Sequence, residues 1–411
     1  MGIEERRVEL GDLAIGMYVC RLDRDWTDTP YPLQGFLLNS QEDIRELRRH
    51  CAYVYVDAER SGMEPLKPPP VARPRRVVDT RPRDYDELKG RVRYADTASV
   101  EEEAPRARQA YDAAATATAR IIDDVRSGQA LSLDDVDDAV EPVMRSILRS
   151  ADAFMWIESL RQRSSYAYSH AINCSALAAM YGRHMGFPED VLLDMAAGAL
   201  LLDIGTTQLP ESLLAHAGPL SRDGLDAVRA HVEAGLRIVE QGEGRNPHIV
   251  EMVRGHHERD NGSGYPDALF GAQIPLLARI AGVIDSFDAM TSDRPYRKAL
   301  GRHEALQELY RQRDQLYQGE VVEQFMQCLS IYPTGSLVEL NTGEVAIVMA
   351  QNPARRLRPR VMLLTTPDKA IDESFRVVDL LVQPAEGDEA VRVVRALEPG
   401  AYGIDPAELY L

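Results

Sequence analysis

No two cysteines in this sequence are spaced as CxxC. The 411 residues hold four, Cys20, Cys51, Cys174 and Cys328, all far apart. That argues against a disulfide framework and points to a reducing compartment. No secretory leader is expected either, since the opening MGIEERRVELGDL contains no apolar stretch of signal-peptide type. No apolar run approaches bilayer length, and the richest, Ala196–Leu202, is far too short. These absences lead to the expectation of a cytoplasmic protein without a membrane span. Positive charge is also in short supply. The 47 Lys and Arg face 65 Asp and Glu, a net charge of −18. Such a field repels a phosphate backbone outside any local basic patch, which argues against a nucleic-acid polymer as partner. It does not exclude a small phosphate ester held by a few arginines or by metal ions.

What is present is ordinary for a soluble protein, with 45% hydrophobic and 27% charged residues and length enough for two or three units. Residues 1–65 read as a small strand-rich unit. VEL, MYVCRL and YVYVDAE are short β-branched or aromatic runs set off by turn residues, and Gln41–Arg49 reads as a short helix. Residues 66–98 read as a linker, rich in proline and arginine from Leu66 to Asp84. Residues 99–330 are helical throughout. Ser99 with Glu102 forms a capping-box pattern, and Ser132 with Asp135 opens another helix. After Tyr332-Pro333 the pattern turns β-rich, from 331 to 411. SLVEL, EVAIVMA, RVMLLTT and FRVVDLLV are the strand runs, and Asn341-Thr342-Gly343 is a turn between the first two. The fold class expected is mostly α, with a helical domain flanked by a small β unit on each side.

The helical block carries the residues that could do chemistry. His170 lies in the buried stripe of a helix spanning Ser165–Met185 and, taken alone, reads as a satisfied core histidine. Asp203 ends the apolar run GALLLDIGTT, with Gly205 as a candidate cap; a solvated helix end and a ligand are equally good readings. His231 stands at the shoulder of a stripe made by Leu225, Val228, Val232, Leu236 and Val239, where a surface histidine competes. The strongest local signal is GHHERDNGSGYP at 255–266. Its adjacent His256 and His257 run into a tight loop in which both glycines allow positive φ. In the run 274–300, Asp288 falls on an apolar helix face and Asp285 beside it, followed by Arg294, Arg297 and Lys298. Buried carboxylates need compensation, and arginine forks match phosphate oxygens. Imidazoles and carboxylates spread over several helices suit borderline divalent metals.

In order and spacing these residues resemble the HD-GYP family, a branch of the HD metal phosphohydrolases, over residues 150–330. HHERDNGSGYP matches the family's HHE…DGxGYP stretch, and IPLLARIAGVIDSFDAMTSDRPYRKAL matches the segment that follows. GMYVCRLDRDW…VYVDAE resembles a domain of unknown function found ahead of such domains. The resemblance implies iron or manganese ions and hydrolysis of the bacterial second messenger cyclic di-GMP. It implies His170, Asp203, His231, His256, His257 and Asp285 as metal ligands, Asp203 being the catalytic, bridging one. Arg294, Arg297, Tyr265 and Pro266 are the implied substrate contacts, and diguanylate cyclases are possible partners through the GYP loop.

The chain departs from the pattern at informative places. Leu202 replaces the dyad histidine, Thr206 the family lysine, Tyr166 a glutamate of trimetal members, and Asn261 an aspartate of the GYP stretch. One metal group keeps Asp203, His231, His256 and His257. The other keeps only His170, Asp203 and Asp285, so one ion is well held and a second weakly. The expected function is a cyclic di-GMP phosphodiesterase family protein in bacterial signalling with reduced or lost hydrolysis. The alternatives are an active enzyme yielding pGpG and a non-catalytic interaction scaffold.

Overall fold

The computed structural model describes residues 5–22, 36–38, 40–51, 53–57, 61, 90–160, 166–214, 221–242, 246–293, 298–352, 355–384, 390–405 and 408. The chain divides into two compact units, Met1–Val78 and Asp79–Leu411. Of the expected linker 66–98, residues 66–89 lie outside the described residues, as do Arg294 and Arg297, while 90–98 run along the helical unit, with the amides of Gly90 and Val92 donating to the carbonyls of Met185 and Gly186.

Among its described residues the first unit is a four-stranded antiparallel sheet with one helix. Strands β1 (Glu5–Glu9), β2 (Tyr18–Leu22), β3 (Phe36–Leu37) and β4 (Tyr53–Asp57) lie in the order β1-β4-β2-β3, and α1 spans Gln41–His50. Alternation in YVYVD sends Val54 and Val56 inward, where they meet Val8, Val19, Ile44 and Leu47. Ser40 starts α1 with a full capping box to Asp43. The two-residue β3 was too short to be read from sequence.

The second unit is mainly helical. Its helices are α2 (Val100–Arg126), α3 (Leu133–Arg149), α4 (Ala151–Ser159), α5 (Tyr166–Met185), α6 (Glu189–Leu200), α7 (Glu211–Leu214), α8 (Arg222–Arg229), α9 (His231–Gln241), α10 (Pro247–Gly255), α11 (Leu276–Thr291), α12 (Arg302–Arg311) and α13 (Gly319–Leu329). Ser99 and Glu102 cap α2 reciprocally, and the Ser132 hydroxyl accepts from the Asp135 amide at the start of α3. No described helix is long and apolar enough to cross a membrane.

Strands β5 (Leu337–Leu340), β6 (Val345–Ala350), β7 (Arg360–Leu363), β8 (Val377–Asp379) and β9 (Val393–Ala396) form an antiparallel sheet in the order β8-β7-β6-β5-β9. The unbroken apolar run VAIVMA serves two faces. Val345, Ile347 and Met349 join Val100, Ala107, Ala153 and Trp156 of α2 and α4, while Ala346 and Val348 pack with Val338, Val361 and Leu380. The sheet therefore shares a core with the helices before α5. Strand β9 carries no strong sequence signal, because its burial is partial.

Two local readings change. The stripe from Leu225 to Val239 is not one helix: the chain breaks at Ala230 between α8 and α9, and Leu225 is 47% exposed. The imidazole of His231 caps the break, donating Nδ1–H to the carbonyl of Val228 at 2.7 Å. Nor is Gly205 a left-handed cap. It sits inside a 3₁₀ turn, Ile204–Gln208, pressed against α9, where a Cβ would stand 1.9 Å from the carbonyl oxygen of His231.

Candidate metal centre

Five elements converge. Helix α5 brings His170, and the turn after α6 brings Asp203. The start of α9 brings His231, and the end of α10 brings His256, followed by His257. Helix α11 brings Asp285 and, one turn on, Asp288.

Ligand atoms of Asp203, His231, His256 and His257 all lie within 4.8 Å of one another. Nε2 of His231 is 3.2 Å and Nε2 of His256 3.9 Å from Asp203 Oδ1. His256 donates Nδ1–H to the carbonyl of Val253 at 2.9 Å, as His231 does to that of Val228. A carbonyl can only accept, so each neutral ring carries its proton on Nδ1 and turns the Nε2 lone pair inward. Both Nε2 atoms are buried without a hydrogen-bond partner. Unpaired polar atoms in an interior are costly, and a divalent ion satisfies them. The donor set and spacing fit an ion with bonds of about 2.0–2.3 Å.

A second group shares Asp203. His170, Asp203 and Asp285 also bring ligand atoms within 4.8 Å of each other. His170 Nε2 faces Asp285 Oδ1 at 3.3 Å and Asp203 Oδ2 at 3.5 Å, while its Nδ1–H goes to Asp288 Oδ2 at 2.7 Å. This carboxylate on the far ring nitrogen fixes the tautomer and raises the basicity of the inner one. Asp288 was noticed in the sequence only as a buried acid. Its role becomes legible once α11 is packed on α5.

Charge follows this geometry. Burial works against a charged His170 ring, but Cys174, Asp285 and Asp288 outweigh it and hold its pKa well above the usual value. His231 is raised in the same way, with Asp203 overcoming burial. Burial depresses His256, and burial together with His256 depresses His257 further. Desolvation works against both carboxylates, but His231, His170 and His256 hold the partly exposed Asp203 well below the usual carboxylate range, and His170 and His257 lower Asp285.

The loop after His257 is built to stay put. Glu258, itself buried, accepts the amides of Asp267 at 2.8 Å and Leu269 at 2.9 Å. The ring of Tyr265 stacks on His257 at 4.6 Å, and the bond to Pro266 is cis. Of its two glycines only Gly262 has positive φ. Gly264 serves close approach instead, since a Cβ there would lie 2.5 Å from the backbone of His257 and Glu258. Sequence reasoning missed Arg229, whose guanidinium lies 5.2 Å from the centre of the Tyr265 ring.

The altered positions are equally plain. Leu202 is buried in the helical core, and Thr206 folds its hydroxyl back on the carbonyl of Asp203 at 2.7 Å. A cavity of about 500 Å³ is lined by Arg302, His303, Leu337 and Leu397 among others, and by none of the metal-group side chains.

Comparison with known proteins agrees with this architecture. Residues 144–321 match the HD domain, and residues 5–136 match a domain of unknown function, DUF3391. A cyclic di-GMP phosphodiesterase of Pseudomonas aeruginosa is 29% identical over 407 residues, covering 98% of this chain and 93% of that protein. A cyclic di-GMP phosphodiesterase response regulator of Xanthomonas campestris pv. campestris is 35% identical over 150 residues, 36% of this chain and 40% of its own length. A 3'3'-cGAMP-specific phosphodiesterase of Vibrio cholerae is 30% identical over 165 residues, 40% of this chain and 31% of its own.

Proposed function

The chain is an HD-GYP family protein, and from that premise we propose that it binds a divalent metal and cyclic di-GMP in bacterial signalling while hydrolysing the nucleotide slowly or not at all. The observation that carries this reading is the inequality of the two ligand groups. Asp203, His231, His256 and His257 supply four ligands, two of them histidines with inward, unpartnered Nε2 atoms. The group of His170, Asp203 and Asp285 has three, and its neighbour Leu202 has no lone pair to add.

Metal ions at the two groups would supply Lewis acidity and an activated water. The protein's own share is to hold the acceptor. Asp203 spans the groups, with one oxygen toward each. Asp288 keeps the His170 lone pair pointing inward, and Tyr265 lays an aromatic face over His257 beside the loop. Arg294 and Arg297 are proposed as the phosphate contacts. With Thr206 turned to its own backbone, the lysine of the family has no replacement there. Each tenfold loss of rate corresponds to about 1.4 kcal/mol of transition-state stabilisation. The second reading, an active phosphodiesterase giving pGpG, draws on the convergence of the three-ligand group, which keeps a place for a second ion of iron or manganese type.

The test is to purify the full chain without oxygen, measure metal per chain, and assay binding and turnover of cyclic di-GMP and 3'3'-cGAMP with added Mn²⁺ or Fe²⁺. Binding of cyclic di-GMP with little turnover supports the proposal. Fast metal-dependent hydrolysis establishes the second reading, and a chain that binds neither metal nor nucleotide is a scaffold.

A further inference from the structure

We infer that Glu158 and Arg302 are positioning residues for His170, through which the C-terminal β unit sets the orientation of a metal ligand. The link is a continuous buried polar chain. His170 Nδ1 donates to Asp288 Oδ2 at 2.7 Å. Asn173, one turn along α5, donates the two protons of its amide to two different carboxylates, Asp288 Oδ1 at 3.0 Å and Glu158 Oε1 at 3.1 Å. The other oxygen of Glu158 pairs with the guanidinium of Arg302, and Arg302 reaches on to the carbonyl of Thr334 at 2.9 Å. Thr334 precedes β5, and its hydroxyl donates to Asp152, which also accepts the amide of Gln351 just after β6.

Three features separate this chain from ordinary interior glue. First, Glu158, Asn173 and Asp288 are all at most 6% exposed, so two carboxylates share one amide out of water, and the charge of Arg302 lies against Glu158. Second, Asn173 cannot be flipped, because its oxygen would then face both carboxylates. Third, in this orientation Oδ1 of Asn173 is left buried without a partner, a cost a purely structural asparagine would avoid. The arrangement spends stability to fix one thing, the placement of Asp288 against His170. Removing Arg302 takes a cation away from Glu158 and strengthens its pull on the amide that braces Asp288.

This inference rests on His170 being a metal ligand, but its decisive readout needs neither metal nor nucleotide. Full-length protein labelled with ¹⁵N-histidine is stripped with chelator, and the ring nitrogens are read by long-range proton–nitrogen spectra, with His170 assigned by its loss in H170Q. In Glu158→Gln and in Arg302→Met the His170 ring signals should shift from their wild-type positions, while those of His256 and His257 stay in place. Arg302→Lys, which keeps the charge beside Glu158, should restore the wild-type pattern. Mn²⁺ affinity of the weaker step should fall about tenfold in the first two variants, as loss of a ligand's supporting partner does. If one of the two variants fails to fold by circular dichroism, the other carries the test with the lysine control. His170 signals unchanged in a folded variant would overturn the inference, whatever the protein does with cyclic di-GMP.

Discussion

Nε2 of His231 stands 3.2 Å from Oδ1 of Asp203, held there by the bond from Nδ1–H to the carbonyl of Val228. The ring thus does two jobs, closing the end of α8 and offering a lone pair to an ion. His231→Ala removes both. Loss of a mere supporting partner costs about 10–100-fold in metal affinity, so loss of the ligand itself should cost at least about 100-fold. Metal per chain after dialysis should drop toward zero, and the rise in melting temperature on adding Mn²⁺ should vanish. A variant that still carries metal at the wild-type ratio would remove His231 from the ligand set.

The same histidines set the pH response of the metal-free protein. His170 and His231 have raised pKa values, so the stability they contribute is complete below the usual imidazole value of about 6.5 and is lost as pH climbs through their folded values. His256 and His257 are lowered, so the unfolded chain takes up their protons first and stability falls as pH drops below about 6.5. Denaturation midpoints of chelated protein should therefore peak near pH 6.5 and fall on both sides. Mn²⁺ affinity should keep rising above that point, because the ion displaces protons from His170 and His231. An affinity that is flat from pH 6 to 9 would contradict the assignment.

Much of this architecture was legible in the sequence, and the exceptions have physical causes. Helix and strand periodicity marked the helical block and the sheets on either side, because burial of one face is a local pattern. The HHE…GYP run was legible because consecutive residues carry it. His170 was different: taken alone it is one more residue in a buried stripe, and what distinguishes it is Asp288, 118 positions away. The break at Ala230 was hidden because the apolar spacing runs on across it. Gly205 was read as a cap because its neighbour in space, the backbone of His231, is 26 positions on in the chain.

That contact makes Gly205 a sensitive position. In Gly205→Ala the new Cβ would meet the His231 carbonyl oxygen at 1.9 Å and the Gly235 amide nitrogen at 2.3 Å, both helix backbone that cannot turn aside. Overpacking of this kind costs about 1–3 kcal/mol or more. Because the 3₁₀ turn carries Asp203 at its start, the strain also separates Asp203 from His231. Urea denaturation should show the loss of stability, and metal binding should weaken with it. Gly11→Ala, which has open space around its Cβ, is the control and should stay within about 0.5 kcal/mol. Equal midpoints for the two variants would mean that the turn can back away from α9.

Leu202 offers the most direct examination of the gap beside Asp203. It is 1% exposed and belongs to the helical core, so Leu202→His trades packing for a polar ring. Without metal, a buried imidazole lacking a partner should destabilise the fold by about 1–3 kcal/mol. If the position faces the group of His170, Asp203 and Asp285, a fourth ligand completes that group, and metal binding becomes folding energy. The variant should then be less stable than wild type in chelator and recover in Mn²⁺, with metal per chain rising toward two. Elemental analysis and paired thermal melts read both quantities. Recovery without a change in stoichiometry would mean the new ring joins the existing ion, and loss of stability in both conditions would place Leu202 in the core alone.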